Sequence, residues 1–330
     1  MSNATPDLAR RLSPEAGRSP EMQKLWDWIC KEDAGLPDTT KMPIKQARPI
    51  QARLFARWNH DLPEIARAER LSLPVAQGAR DLRCEMVTPL HARPGCILFL
   101  HGGGWAFGDL ESHERFTYLL AVETGLRVLA LDYRLAPEHP YPAGLNDACA
   151  AWAWLVDEAV GQPGMQGPLM MAGDSAGANL AMAAMLRGQD EGERAPDAAL
   201  LFYGAYAADL DSASCLRFAE GYGFTRARLA QFWDWYAPRD RRDEPFVCPG
   251  LAGDGALAQL PPLFLNAAGL DPLLCDTLDL AARLEALGVR HILEIHEGVH
   301  HGFMQMSAEL AEARRAFALA GQFARAVVRA

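Results

Sequence analysis

Short runs of consecutive apolar residues recur along the chain from about residue 81 onward. Five to eight residues of this kind, bounded by turn residues, are typical of strands buried in a mostly parallel sheet. The segment 81–88 differs from the others, because it alternates polar and apolar residues, as a half-buried strand does. The strands predicted in this way are 81–88, 96–101, 127–132, 168–172, 198–203, 262–267 and 292–296.

Stretches with helical spacing of apolar residues fall between most of these strands. The predicted helices are 113–123, 145–159, 178–187, 275–287 and about 307–328. Strands that alternate with helices predict an α/β fold, with a mostly parallel central sheet and helices on both faces. We therefore expect residues 1–330 to form a single domain.

Two segments lie outside this alternation. Residues 1 to about 65 are mostly polar, but 21–32 places Met22, Leu25, Trp26 and Ile29 on one helical face, and a second short helix is predicted within 54–65. Such isolated helices need another surface to cover. We therefore assign this segment, about 1–65, to a helical cap over the sheet.

The second segment, about 206–255, is far longer than an ordinary crossover between two strands. It carries Phe232, Trp233, Trp235 and Tyr236 on helical spacing. We predict that it lies over the carboxyl edge of the sheet and completes the cap. The alternative is a peripheral helix packed against the core.

A serine lies where the strand 168–172 gives way to the helix 178–187, within Gly173-Asp-Ser175-Ala-Gly177. A sharp strand-to-helix turn at a serine exposes its hydroxyl in a strained position, as in nucleophile elbows. The flanking glycines allow close packing where a Cβ would clash. Ser175 is therefore the candidate nucleophile.

A glycine-rich run, His101-Gly-Gly-Gly-Trp105, follows the buried strand 96–101 directly. Consecutive glycines let backbone N–H groups point into a cavity, where they stabilise the negative charge that acyl transfer creates. The alternatives are a phosphate loop or a plain turn, but the run lacks the Lys-Ser/Thr of a phosphate loop. His101 is interpreted as a residue that orients this loop.

Two further candidates follow predicted strands. Asp271 comes after 262–267 and His301 after 292–296, so both are expected at the carboxyl edge of the sheet. A serine nucleophile needs an imidazole base, and the base needs a carboxylate partner. The order Ser175, Asp271, His301 is the order of α/β-hydrolases. Glu297 is the rival acid, and the adjacent His300 is the rival base.

Together these motifs, with Asp132-Tyr-Arg-Leu-Ala-Pro-Glu138, resemble the hormone-sensitive-lipase-like esterases of the α/β-hydrolase fold, above all the bacterial acetyl esterases. The likeness is strong over about 80–305. It implies that Ser175 is the nucleophile, His301 the base and Asp271 the acid. It also implies an oxyanion hole formed by N–H groups, and no metal or organic cofactor. The residues implied for that hole are Gly103, Gly104 and Ala176.

The resemblance implies a carboxylic ester hydrolase that acts on a small-molecule ester through an acyl-enzyme, as a monomer or a homodimer. Aromatic residues near the expected site favour short acyl chains, and Trp105, Tyr203 and Tyr206 are the predicted pocket residues. Two alternatives stay open. The protein could hydrolyse another acyl bond, such as an amide, carbamate or lactone, or it could be a non-catalytic small-molecule receptor.

Composition bears on the partners and the compartment that we expect for this chain. The net charge of −10 disfavours nucleic acid as a partner, since nucleic-acid-binding surfaces are basic. Seven widely spaced cysteines without a Cys-x-x-Cys pair indicate reduced thiols. The N-terminus lacks the apolar core of a signal peptide, and no apolar run is long enough to span a membrane. These features predict a cytoplasmic protein.

Overall fold

The computed structural model describes residues 12–13, 17–74, 81–161 and 164–328. Its strands form one eight-stranded sheet in the order β1-β2-β4-β3-β5-β6-β7-β8. The strands are β1 (Arg67–Leu73), β2 (Leu82–Thr88), β3 (Cys96–Leu100), β4 (Arg127–Asp132), β5 (Leu169–Asp174), β6 (Ala198–Phe202), β7 (Leu263–Leu270) and β8 (His291–His300).

The sheet is parallel from β4 across to β8, and only β1 and β2 run antiparallel. Every residue of β3, β5, β6 and β7 is buried, because helices cover both faces of the sheet there. The carboxyl ends of the parallel strands meet at one edge of the sheet, which is where open α/β folds place their sites.

The helices of the described residues belong to the N-terminal segment, the crossovers of the sheet, the long segment after β6 and the segment after β8. They are α1 (Pro20–Glu32), α2 (Ile44–Ala56), α3 (Glu114–Thr124), α4 (Ala143–Gly161), α5 (Ala176–Glu191), α6 (Ala213–Arg217), α7 (Arg226–Tyr236), α8 (Asp254–Leu257), α9 (Leu274–Ala286) and α10 (Ala311–Val328). None of them combines the length and the apolar character that crossing a bilayer requires.

The sheet separates two large apolar cores, one on each of its faces. On one face, α3 and α10 pack on each other around Phe116 and Phe317, whose ring centres lie 4.8 Å apart. On the other face, α4 and α5 bury Leu155, Leu180 and Met182. This two-sided burial explains why the central strands consist of consecutive apolar residues.

The predicted architecture, a mostly parallel sheet flanked by helices, is confirmed by this topology. Two elements differ from the prediction. The helix expected within 54–65 lies earlier, at α2, which continues through Pro49 although proline weakens a helix interior. Strand β1 was not predicted, because it is an edge strand whose residues are mostly exposed and so lacks an apolar signal.

Candidate active site

Ser175 lies at the tip of a tight turn between β5 and α5. Its backbone has φ 54° and ψ −117°, a region that non-glycine residues seldom adopt. A Cβ at Gly173 would lie 2.4 Å from Gly177, and one at Gly177 would lie 1.9 Å from the carbonyl oxygen of Leu100. Glycine at both positions therefore lets the helix approach the strands closely enough to form the turn.

His301 joins the serine to a carboxylate. Its Nε2 lies 2.8 Å from Oγ of Ser175, and its Nδ1 lies 2.7 Å from Oδ2 of Asp271. A carboxylate can only accept, so Nδ1 carries the proton and Nε2 is left to accept the hydroxyl proton of Ser175. The backbone N–H of Leu273 donates to the other carboxylate oxygen at 2.8 Å. Sequence segments that are far apart thus form one hydrogen-bonded chain at the sheet edge.

Aromatic rings enclose the imidazole of His301. Phe224 from the segment after β6 stacks on it, with ring centres 4.6 Å apart and planes 28° apart. Tyr203 at the end of β6 contacts it edge-on at 5.0 Å. Asp271 is 1% exposed, and the side chain of His301 is 11% exposed. These contacts hold the ring in one orientation and keep water away from the carboxylate.

The glycine run after β3 forms a loop beside Ser175. Gly103 and Gly104 have φ 115° and 60°, and both line the same cavity as the serine. A Cβ at Gly103 would lie 2.3 Å from the carbonyl oxygen of Phe107, so the loop tolerates no side chain there. Ala176 is the first residue of α5, and the N–H groups of a helix's first turn have no partner within the helix.

Two buried side chains, those of Asp174 and His101, contact the backbone of this loop at Gly102. Asp174 accepts a hydrogen bond from the N–H of Gly102 at 2.7 Å, and its carboxylate lies 3.4 Å from Nε2 of His113. His101 lies with Nδ1 2.8 Å from the carbonyl oxygen of Gly102 and stacks on Tyr133. Burial lowers the pKa of His101 to about 4, so this ring is neutral at pH 7. These contacts fit an orienting role for His101.

His300 and Glu297, the rival base and acid, have other surroundings. Nε2 of His300 accepts a hydrogen bond from Nε of Arg18 at 2.7 Å, and its ring contacts Trp26 and Tyr222 edge-on. Burial, with the nearby charge of Arg18, lowers the pKa of His300 to about 3. Glu297 is exposed on β8, whereas Asp271 occupies Nδ1 of His301.

A cavity of about 320 Å³ opens over Ser175 and His301. Helices α1 and α2 line one side of it, and the segment 222–232 lines another. Its apolar and aromatic lining residues are Trp26, Ile29, Leu54, Phe55, Trp58, Phe107, Tyr222, Phe224, Phe232 and Met306. Most of these were missed by sequence reasoning, because their meeting depends on how two distant segments fold over the sheet.

The predicted pocket residues require a correction, since the cavity is not lined by Trp105, Tyr203 or Tyr206. Each is 1–2% exposed. Trp105 stacks flat on Tyr236, with ring centres 4.2 Å apart, and so packs against α7. Tyr203 supports the imidazole of His301, and the backbone N–H of Tyr206 is held by Asp276. These aromatic rings belong to the core rather than to the cavity wall.

The cavity holds few charged groups. Arg57 pairs with Asp33 at 2.7 Å, whereas Arg228 contacts uncharged acceptors. Within the described residues, no cluster of three or more His, Cys, Asp or Glu side chains is placed to hold a metal ion.

Comparison with known proteins identifies the family to which the chain belongs. A family model described as the alpha/beta hydrolase fold matches residues 97–305. Carboxylesterase NlhH of Mycobacterium tuberculosis is 35% identical over 250 residues, which cover 74% of this chain and 78% of the relative. Ethyl acetate hydrolase of Pseudomonas putida is 37% identical over 223 residues, with 66% and 68% coverage.

Solved structures agree. An ester hydrolase from the metagenome of Lake Arreo, complexed with a derivative of bipyridine phosphonate, superposes with a TM-score of 0.86 at 31% identity. The match covers 94% of this chain and 98% of that structure. The chain belongs to the hormone-sensitive-lipase-like esterases of the α/β-hydrolase fold. It is an ester hydrolase, and the predicted fold, family and enzyme class are confirmed.

Proposed function

We propose that this protein hydrolyses carboxylic esters of short acyl chains, with Ser175 as nucleophile, His301 as general base and Asp271 as its acid partner. The observation that carries this proposal is the hydrogen-bonded chain from Ser175 to His301 to Asp271, at 2.8 and 2.7 Å. Ser175 and His301 line the cavity beside Gly103 and Gly104, which supports these roles.

The mechanism follows from these positions. As Oγ of Ser175 attacks the ester carbonyl carbon, Nε2 of His301 takes the hydroxyl proton, and Asp271 stabilises the resulting imidazolium. The N–H groups of Gly103, Gly104 and Ala176 are the proposed donors to the oxyanion. The imidazolium then protonates the departing alkoxide, which leaves an acyl-enzyme. Water, deprotonated by the same imidazole, releases the acid and restores the serine.

Substituting the acid should separate the two candidate carboxylates. Asp271→Asn removes the charge that stabilises the imidazolium and disfavours the productive tautomer, so kcat should fall roughly 10³- to 10⁴-fold. Glu297→Gln is the matched control and should change kcat far less, because Glu297 is exposed on β8. Steady-state rates on p-nitrophenyl acetate measure both. If the two losses were reversed, Glu297 would be the acid.

The preference for short acyl chains is supported by the size and lining of the cavity. A volume of about 320 Å³ lies at the small end of the range of roughly 300–1,000 Å³ that ligand pockets span. Each methylene that fits adds only about 0.8 kcal/mol of transfer free energy. A methylene for which the aromatic wall leaves no space adds no transfer free energy. We therefore expect kcat/KM to be highest for acetyl to hexanoyl esters.

Acyl length is tested with p-nitrophenyl esters from acetate to dodecanoate. Trp58 lines the cavity, so Trp58→Ala should move the maximum of kcat/KM toward longer chains. Trp28 contacts Trp58 edge-on but is 44% exposed and does not line the cavity, so Trp28→Ala should leave the maximum in place. A wild-type maximum at dodecanoate would contradict the short-chain proposal and indicate an open, lipase-like groove.

The alternative reactions are distinguished by the same assay format. A panel of p-nitrophenyl esters and the corresponding anilides, run with and without a serine-directed phosphonate, compares ester and amide hydrolysis. Turnover of esters that the phosphonate abolishes supports the proposal. Faster turnover of the anilides would favour another acyl bond, and binding without turnover would favour a receptor.

The cap is part of the same proposal. We infer that about 1–65 and about 206–255 form a cap on a single α/β-hydrolase domain comprising 1–330. In support, residues of α1, α2 and the segment after β6 line the cavity, and Arg18 bonds to both His300 and the carbonyl of Gly221. The oligomeric state, monomer or homodimer, and the cytoplasmic location stay predictions.

A further inference from the structure

A positively charged side chain lines the cavity on the cap side, and neither the serine chemistry nor the glycine loop uses it. Arg228 lies in the first turn of α7. Its guanidinium centre is 5.6 Å from the ring centre of Phe232 and 5.7 Å from that of Phe107. A cation in the first turn of a helix opposes the helix dipole. Helix stability therefore does not account for arginine at this position.

The two rings connect Arg228 to the reaction centre. A Cβ at Gly104 would lie 2.0 Å from Phe232, so this ring packs directly on the glycine loop. The N–H of Phe107 donates to the carbonyl oxygen of Gly103 at 2.9 Å, which makes Phe107 part of the same loop. Only one layer of aromatic rings therefore separates the guanidinium from the proposed oxyanion donors.

Arg228 lines the cavity without forming an ion pair, among the residues that the structure describes. The other lining guanidinium, that of Arg57, is paired with Asp33. Arg228 instead donates to two neutral acceptors, Oγ1 of Thr39 at 2.5 Å and Oε1 of Gln231 at 2.9 Å. Among the residues that the structure describes, no carboxylate forms an ion pair with it. A buried or half-buried charge without a counter-ion is costly unless a ligand supplies one.

The acidic groups near Arg228 do not act as its counter-ion. Asp38 is exposed and acts on Arg228 only at longer range: burial lowers the pKa of the guanidinium, and the charge of Asp38 offsets only part of that lowering. Asp174 lines the cavity, but its carboxylate is held by the N–H of Gly102 and lies beside His113. Arginine stays protonated throughout the working pH range, so the part of the cavity wall at Arg228 keeps its positive charge.

A guanidinium offers five N–H donors in a planar fork that matches the two oxygens of a carboxylate. Thr39 and Gln231 take one N–H each, which leaves three donors for a ligand. We propose that Arg228 binds a carboxylate on the substrate, so that the enzyme prefers esters bearing a free carboxylate over neutral esters of the same shape. This inference rests on the proposed ester hydrolysis at Ser175.

The test compares pairs of esters that differ only in charge. One pair has the charge on the alcohol part, 4-acetoxybutanoate against 4-acetoxybutanamide, and the other has it on the acyl part, monoethyl glutarate against ethyl 4-carbamoylbutanoate. Acid release is followed by pH-stat titration, and kcat/KM is obtained for each ester. For at least one pair the wild type should favour the carboxylate by about 10- to 100-fold, which is the effect expected of charge-assisted hydrogen bonds.

Variants assign the preference to Arg228. Arg228→Met should bring the carboxylate-to-amide ratio to about 1 or below, and the ratio is unaffected by any general loss of activity. Arg226→Met is the matched control. It removes the same charge from the same helix turn, but Arg226 does not line the cavity and pairs with Asp211. The control should keep the wild-type ratio. Arg228→Gln, which retains a donor for Thr39, gives a second, milder variant should the first fail to fold.

The outcomes separate this inference from the proposed function. A wild-type ratio of about 1 or less in both pairs overturns the inference, whatever the variants do. An unchanged ratio in the folded Arg228 variants overturns it as well. If p-nitrophenyl acetate is hydrolysed in either case, the proposed esterase function stands and only the carboxylate preference fails. If no ester of any kind is hydrolysed, the proposed function itself fails.

Discussion

Replacing Ser175 with alanine is expected to lower kcat by roughly 10⁴-fold or more and to leave the fold intact. The substitution removes the cavity-lining hydroxyl that lies 2.8 Å from Nε2 of His301. Activity that persists would come from the oxyanion donors and from substrate binding, which do not depend on the hydroxyl.

The fold should tolerate this change because alanine carries the same Cβ as serine. The backbone at Ser175 is held by its own N–H, which donates to the carbonyl oxygen of Phe202 at 2.8 Å, and that bond is retained. Circular dichroism and thermal unfolding check the fold, and p-nitrophenyl acetate turnover gives kcat. Ser72→Ala, on the exposed edge strand β1, controls for the handling of variants. Near-normal turnover in folded Ser175→Ala would contradict the assignment of the nucleophile.

His301→Ala is expected to abolish turnover, with a loss in kcat of roughly 10⁴-fold or more, because it removes the base that accepts and returns the proton. His300→Ala should retain most of the activity. The ring of His300 is occupied by Arg18, Trp26 and Tyr222, and it forms no hydrogen bond with Ser175. The adjacent histidines are therefore matched controls for each other.

The two variants are compared as kcat/KM against pH on p-nitrophenyl acetate. The acidic limb of the profile should be the same in His300→Ala and in the wild type, since the base is unchanged. His300→Ala should be less stable to heat, because it breaks the contacts that join the N-terminal segment to β8. If His300→Ala were inactive and His301→Ala active, the alignment of this segment with the family's histidine would be off by one residue.

Much of the candidate site could be predicted because its chemistry sits in short motifs at strand ends. Ser175 and Asp271 follow the buried strands β5 and β7, and His301 follows the partly exposed β8. A parallel sheet brings the carboxyl ends of all these strands to one edge. Their pairing at 2.7 and 2.8 Å is a property of the fold. The sequence supplies the order of the residues, and the sheet supplies their proximity.

The cavity wall could not be predicted in the same way. Arg18 and His300 are separated by 282 positions and meet only because the N-terminal segment crosses the end of β8. No local pattern encodes such a contact. The aromatic residues Trp105, Tyr203 and Tyr206 were expected in the pocket because they lie near the site in sequence, but large rings next to a sheet edge can equally be buried beneath it.

The limits of periodicity explain the two misassigned elements. Strand β1 faces solvent along much of its length, so burial imposes no apolar pattern on Arg67–Leu73. Helix α2 contains Pro49, a residue that favours a break when only local preference is considered. Here tertiary contacts override the local signal, since Ala47 is fully buried and Phe55 lines the cavity.

The central claim is that ester hydrolysis proceeds through a covalent bond to Ser175, and labelling with a serine-directed phosphonate tests it most directly. The wild-type protein is titrated with the reagent, activity is followed, and the modified residue is located by peptide mass spectrometry. We expect activity to fall to zero at one equivalent of label, with the adduct on the peptide that contains Gly173–Gly177 and on Ser175 itself. An adduct on another residue at full inactivation, or full turnover with Ser175 modified, would contradict the account.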